Sequence, residues 1–220
     1  SQANDLAERH PDKLAALKQR FEEEAARVGI LPIRDATSVR TPMPKLNLDR
    51  KEFTYYAGAV GIPETGAPPI FNRSWQLQAD LDIDEPGSGG VIATMGGRGA
   101  GWSLYLDAEG VPVFEYRLFE VTRKTLRASA PLASGNQQLQ LNFDYAGEGY
   151  ARGGKLTLQV NGEVVDSTEL PASPPAFFSI DETFDIGMDT GSAAGTYPAD
   201  APLGYPMPRN MLQRVTVTVP

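Results

Sequence analysis

The chain contains no cysteine. That removes disulfides, thiolate metal sites and a cysteine nucleophile. It leaves the compartment open, periplasmic, secreted or cytoplasmic, because a cysteine-free domain is stable in oxidising and reducing surroundings alike. Histidine is nearly missing as well: His10 is the one histidine among 220 residues. It precedes Pro11 at an expected helix start, a capping position rather than a catalytic one. No Ser-His-Asp triad and no histidine metal site can be drawn. Cations are in deficit, with Lys+Arg 20 against Asp+Glu 28 and a net charge of -8. Nucleic-acid binding needs clustered cations to neutralise phosphates, and anionic bilayers attract the same clusters. Neither nucleic acid nor a membrane surface is therefore an expected partner. No uninterrupted apolar run of about 18 residues is present to span a bilayer, and the N-terminus has no apolar signal core. Ser1-Gln2-Ala3-Asn4 reads as a cut edge, so an excised fragment is expected.

What is present is a β pattern. With 41% hydrophobic and 22% charged residues, the chain can bury a substantial core, and its length suits one large sandwich. In residues 74–116, Trp75, Leu77, Ala79, Leu81 and Ile83 alternate with Gln76, Gln78, Asp80 and Asp82. Successive side chains of a strand point to opposite faces, so this is a strand with one buried side. Two Gly-rich breaks and a third turn at Ala108-Glu109-Gly110 divide the remainder into further strands, an antiparallel meander. Gly96-Gly97-Arg98-Gly99-Ala100-Gly101 lacks G-x-G-x-x-G spacing and leads into a strand, so it reads as a tight turn rather than a phosphate cradle. Residues 136–145 alternate again. Asn161-Gly162 between two β runs predicts a type I′ hairpin, whose central residues both need positive φ. Leu118 to Ala130 alternates less cleanly, and its basic run of Arg123, Lys124 and Arg127 reads as a solvated face or a protected edge. A Gly/Pro/Ala loop is expected over 190–211, and a closing strand over 212–219. Loops this long are often functional or wrap a surface.

Upstream, Pro11 and Gly29 bound a predicted helix over 11–28. Leu14, Leu17, Phe21, Ala25 and Val28 share its apolar stripe. Pro32, Pro42 and Pro44 favour an extended linker over 30–51. The expectation is an N-terminal helix and linker over 1–52 and a sandwich over 53–220.

Candidate chemistry is sparse. Asp181, Glu182, Asp185 and Asp189 fall close together near Gly187 and Gly191 in an expected loop, and carboxylate oxygens suit Ca²⁺. The spacing fits no EF-hand, and Asx and ST turns explain the same residues as loop bracing, the favoured reading. The same cluster with Glu115 offers paired carboxylates for glycoside hydrolysis, with nothing to place them in one cleft. Tyr150, Tyr197 and Tyr205 fall in loops and are candidate sugar contacts, or simple packing.

Four strings are similar to the C-terminal part of bacterial arylsulfatases: DLAERHPDKLAALKQRFEEEAARVGILPI, AVGIPETGAPPIFNRSW, GVIATMGGRGAGWSLYL and DETFDIGMDTGS. The resemblance implies a jelly-roll, concanavalin-like sandwich appended to an alkaline-phosphatase-like catalytic domain. The family's C/S-x-P-x-R nucleophile motif is missing: Ser129-Ala130-Pro131-Leu132-Ala133 ends in Ala, and Ser173-Pro174-Pro175-Ala176-Phe177 in Phe. No catalytic residue carries over, so sulfate-ester hydrolysis by this chain alone is not expected.

The expected fold is thus all-β, a two-sheet antiparallel β-sandwich of jelly-roll, lectin-like form with an N-terminal helix. The leading functional expectation is a non-catalytic arylsulfatase domain with the sulfatase catalytic domain as partner, or a homo-oligomer interface. The alternative is a lectin-like carbohydrate-binding module. No cofactor is expected beyond the Ca²⁺ candidate.

Overall fold

The strict alternation of Trp75 to Ile83 becomes a nine-residue strand whose odd positions are buried and whose even positions are half-exposed. That strand is the axis of one of two sheets. The computed structural model describes residues 5–32 and 49–220. The chain divides into two units, Ser1–Lys45 and Leu46–Pro220.

In the first unit, α1 spans Pro11–Arg27, with Pro at its start. It ends as its sequence requires. Gly29 adopts φ 74, Gly29 N–H donates to Ala26 O, and Ile30 N–H donates to Ala25 O. This is a Schellman closure, which depends on a residue that tolerates the left-handed region. Leu14, Leu17, Phe21 and Val28 are exposed, and Ala25 is the buried residue of the stripe. The expected linker falls mostly outside the described residues.

The second unit holds twelve strands among the described residues: β1 (Glu52–Tyr55), β2 (Ile62–Pro63), β3 (Trp75–Ile83), β4 (Gly90–Gly96), β5 (Ala100–Leu106), β6 (Pro112–Leu118), β7 (Thr122–Arg127), β8 (Gly135–Tyr145), β9 (Gly154–Val160), β10 (Glu163–Leu170), β11 (Thr183–Ile186) and β12 (Leu212–Thr218). Sheet A runs β1-β12-β3-β8-β9-β10 and sheet B runs β2-β11-β4-β5-β6-β7. Neighbours pair antiparallel throughout. The result is the all-β, two-sheet antiparallel sandwich that the number and spacing of alternating strands predicted. Asn161 and Gly162 take φ 50 and 85, the type I′ turn expected between β9 and β10.

The core lies between the sheets. Trp75 of β3 stacks on Trp102 of β5, ring centroids 6.0 Å apart at 23°. Phe143 tilts onto Trp75, while Phe114 and Phe184 flank Trp102. Aromatic pairs at such distances contribute beyond their buried area, and these join β8, β6 and β11 to one centre.

Local expectations failed in instructive places. β11 begins at Thr183, so Asp185 sits within a strand rather than in the expected loop. Ile62–Pro63 forms a two-residue strand. Phe119 lies at a turn with φ 46, which leaves Phe119 and Val121 exposed and explains the poor alternation there.

Candidate functional site

On sheet B every residue of β4 and β5 is buried, although one face of these strands already meets the core. The second face is covered by the long loop over 187–211. Tyr105 and Val113 on this outer face join Val91 and Tyr205 in a second apolar cluster, against which Tyr197 and Ala201 pack. Loop backbone seals the arrangement: Val91 N–H donates to Tyr205 O at 2.9 Å and Met207 N–H to Gly187 O at 2.8 Å. Val91 also bridges Pro206 in parallel.

Three carboxylates fasten the loop. Asp185 is 1% exposed. Its Oδ1 accepts Gly61 N–H at 2.6 Å and the Thr183 hydroxyl at 3.1 Å. Its Oδ2 accepts Thr190 N–H at 2.9 Å and the Thr190 hydroxyl at 2.7 Å. Asp189, also buried, accepts Ala194 N–H at 2.9 Å and the Tyr197 hydroxyl at 2.7 Å through Oδ2. Among the described residues its Oδ1 is buried without a hydrogen-bond partner. Burial pushes the Asp189 pKa up, with Asp185's charge adding to the rise and the bonds from Ala194 and Tyr197 opposing it. Glu115, on β6, accepts the Tyr105 hydroxyl at 2.6 Å and the Thr196 hydroxyl at 2.9 Å. Burial and the Glu115 charge raise the Tyr105 phenol well above its ordinary range.

A fourth carboxylate acts at the loop's edge. Glu182 accepts Ser192 N–H at 3.1 Å and the Ser192 hydroxyl. Ser192 Oγ in turn accepts Arg98 N–H at 2.9 Å, and Arg117 Nη1 donates to Arg98 O at 2.9 Å. The Arg98 backbone is thus clamped on both sides. The clamp needs Gly97, where a Cβ would lie 2.4 Å from Ser192 Oγ.

The four acidic residues proposed from sequence are therefore each engaged by local donors. Asp181 bonds the Ser179 hydroxyl at 2.5 Å. Among the described residues no group of three or more His, Cys, Asp or Glu is placed to hold a metal ion.

Between the loop and the β6–β7 edge lies an open groove of about 1060 Å³, just above the usual size range of small-ligand sites. Its loop side is lined by Tyr197, Tyr205 and Thr196, and its strand side by Arg98, Arg117 and Arg123 together with Glu120. The structure brings Tyr197 and Tyr205 together, ring centroids 5.4 Å apart. Tyr205 is only 7% exposed, so the pair forms a wall more than a stacking platform. Tyr150 is elsewhere, exposed in the β8–β9 connection. Arg117 and Arg123 are direct cross-strand partners. Arg123 has a 3.5 Å contact to exposed Glu120. Among the described residues neither Arg98 nor Arg117 has an ion-pair partner, and Arg117 Nε is buried without a hydrogen-bond partner. Sequence reading missed this triplet. Arg98 was hidden in a Gly turn and Arg123 in a solvated run, and the β5–β6 and β6–β7 pairings together assemble them.

No family model matches the chain, and no curated protein matches it. Solved structures similar to it include the CBM40 module of a Ruminococcus gnavus IT-sialidase bound to α2,3 sialyllactose. That match has 17% identity, covers 77% of this chain and 90% of that one, and has a TM-score of 0.49. A leech intramolecular trans-sialidase complexed with 2,7-anhydro-Neu5Ac is similar at 15% identity over 77% of this chain and 25% of that one, TM-score 0.49. Domains LG4-5 of the mouse laminin α1 chain follow at 12% identity, 77% and 39% coverage, and TM-score 0.42. None of these three is a sulfatase. The resemblance to arylsulfatase C-terminal domains is corrected accordingly: with no matching family or curated protein, and sialidase modules among the similar structures, it is withdrawn. The sulfatase catalytic domain is withdrawn as a partner with it. The strings that suggested it are sandwich-building strands, turns and the helix of the first unit.

Proposed function

We propose that the chain is a non-catalytic carbohydrate-binding module whose groove on sheet B takes an acidic saccharide. The observation that carries this reading is the arginine triplet. Like charges directly opposite on paired strands are unfavourable, and Arg117 and Arg123 stand so, with exposed Glu120 against Arg123 as their one ion-pair contact among the described residues. A ligand carboxylate or sulfate placed between them relieves that repulsion and gains charge-assisted, fork-like hydrogen bonds. In a chain of net charge -8, such a local cationic site also selects against the general field. Tyr197 and Tyr205 supply an apolar wall for a sugar ring, and Thr196 a hydroxyl.

The carboxylates do not suit hydrolysis. Asp185 and Glu115 are occupied by structural donors, and glycosidases need two carboxyl groups facing one cleft. The test is a titration followed by backbone and arginine side-chain NMR, with sialyllactose and a sulfated disaccharide as acidic probes and lactose as the neutral control. Shifts confined to Arg98, Arg117, Arg123 and the loop, seen with an acidic probe and absent with lactose, are expected. Silence with both acidic probes rejects the reading.

A further inference from the structure

The opposite face of the molecule carries a second feature that the arginine groove does not explain. The outward residues of β3 and β8 meet in register: Gln76 opposite Asn142, Gln78 opposite Gln140, Asp80 opposite Gln138. β9 continues one row, with Gln159 opposite Gln140. All are half-buried, and they bond one another into a lattice with two hubs. Asn142 Oδ1 accepts from Gln76 Nε2 and from Gln140 Nε2, each at 3.0 Å, and Asn142 Nδ2 donates to Gln159 Oε1 at 3.4 Å. Asp80 Oδ1 accepts from Gln78 at 3.0 Å and from Gln138 at 3.3 Å, while Asp80 Oδ2 accepts from Arg214 Nε and Nη2 at 3.1 and 2.6 Å.

We propose that this carboxamide lattice is a binding face for an uncharged oligosaccharide chain. It is independent of the groove on sheet B. The hubs consume nitrogen donors and leave oxygens over. The Oε1 atoms of Gln76, Gln78, Gln138 and Gln140 accept no hydrogen bond from the described residues, and each of those amides keeps one uncommitted N–H. A side-by-side set of acceptors and donors matches hydroxyl groups, which both donate and accept. Charge complementarity points to a neutral ligand, because Arg214 already neutralises Asp80, the one ionised side chain in the lattice. No apolar side chain interrupts the lattice on β3 or β8, which argues against a protein partner seeking a hydrophobic interface core. The side chains are already ordered by their mutual bonds, so little rotamer freedom remains to be lost on binding. The rows are about 4.8 Å apart across strands and about 6.7 Å apart along them. The lattice therefore spans several rows, and a chain of sugars fills it where a monosaccharide cannot.

Side-chain amide ¹H–¹⁵N spectra of the full chain, recorded with cellohexaose, maltohexaose and mannohexaose, test the proposal. At least one hexasaccharide is expected to shift the Gln76, Gln78, Gln140 and Asn142 signals, and its disaccharide to do so more weakly. Asn142→Ala, which removes a hub, should lower that affinity about tenfold, the loss expected when one or two hydrogen bonds disappear. Gln140→Ala, a milder change, should act in the same direction, and Arg117→Ala should leave this binding unchanged. Absence of lattice shifts with all three hexasaccharides overturns the proposal. So do shifts that survive Asn142→Ala in a variant with native melting, and shifts that grow with protein concentration alone, which would mark the face as a contact between two copies.

Discussion

Arg117 of β6 and Arg123 of β7 are direct antiparallel partners, and among the described residues the one ion-pair contact of either guanidinium group is from Arg123 to exposed Glu120 at 3.5 Å. The carboxylates under the neighbouring loop are engaged by protein donors: Glu115 by Tyr105 and Thr196, Asp185 by Gly61 and Thr190, Asp189 by Ala194 and Tyr197 through Oδ2. Where neighbouring carboxylates are committed to structural donors, a facing arginine pair with one exposed counter-ion is the place to look for a ligand.

The pair should behave differently in the free and bound states. Arg123→Thr is expected to leave the stability of the free protein unchanged or raise it by up to about 0.5 kcal/mol, because like charges facing each other are relieved. The same substitution should weaken binding of a sulfated or carboxylated saccharide severalfold. Urea unfolding beside a binding titration separates the two effects.

Asp185→Asn tests the bracing of the loop. An amide cannot accept from four donors, and its NH₂ would face either the Gly61 or the Thr190 N–H. A loss of roughly 2–3 kcal/mol is expected in denaturant unfolding, from stranded buried donors. Because these donors account for the carboxylate, 5 mM EDTA and 5 mM CaCl₂ are expected to leave the melting temperature of the wild-type chain the same (concentrations of roughly this size saturate ordinary calcium sites).

The pH dependence of stability carries the mark of Asp189. Its pKa is raised above 3.8 in the folded chain by burial, so the native state holds that proton more tightly than the unfolded state. The stabilisation linked to it is therefore complete below the ordinary carboxylate value and is lost as pH rises through the higher folded value. Glu64, raised by burial against the bonds from Phe178 and Ser179, works in the same direction. Asp80 and Asp107, whose pKa values are lowered, work in the opposite one; burial opposes the shift, and bonds to Arg214 and Gln78 at Asp80, and to Val111 and Arg127 at Asp107, outweigh it. Asp189→Asn should remove its share, so that stability gained on acidifying from neutral pH toward the carboxylate range is smaller than in the wild type. Unfolding series at stepped pH measure that difference.

Much of the fold could be read from residue order, and the reasons are local. Trp75 to Ile83 alternates without a break because one face meets a core and the other meets water. Asn161-Gly162 announces its own turn. Pro11 and Gly29 bound a helix by their backbone preferences. The site was less legible because it depends on register and on one long loop. Asp185 looked like a loop carboxylate because its neighbours are acidic, yet Phe184 and Ile186 are pulled into the core and turn the carboxylate to the other face. Arg98 and Arg117 stand 19 positions apart and meet only when β5 folds back on β6. No spacing rule encodes that meeting.

The core is expected to hang on its central tryptophan. Trp102 is 2% exposed and touches Trp75, Phe114 and Phe184. Trp102→Ala should cost about 3–5 kcal/mol, the usual result of emptying a large buried site. Chemical denaturation of the variant, or its failure to give a cooperative transition, measures it.

The account rests most directly on whether the sheet B groove distinguishes acidic from neutral sugars. Calorimetric titration of sialyllactose, a sulfated disaccharide and lactose into the wild-type chain and into Arg117→Ala decides this. Binding of at least one acidic sugar is expected that weakens by about tenfold or more in the variant, as loss of a charge-assisted contact implies, and that weakens with added salt, while any weaker heat from lactose is the same in the variant. Equal binding of lactose and the acidic sugars, or acidic binding untouched by Arg117→Ala, would contradict it.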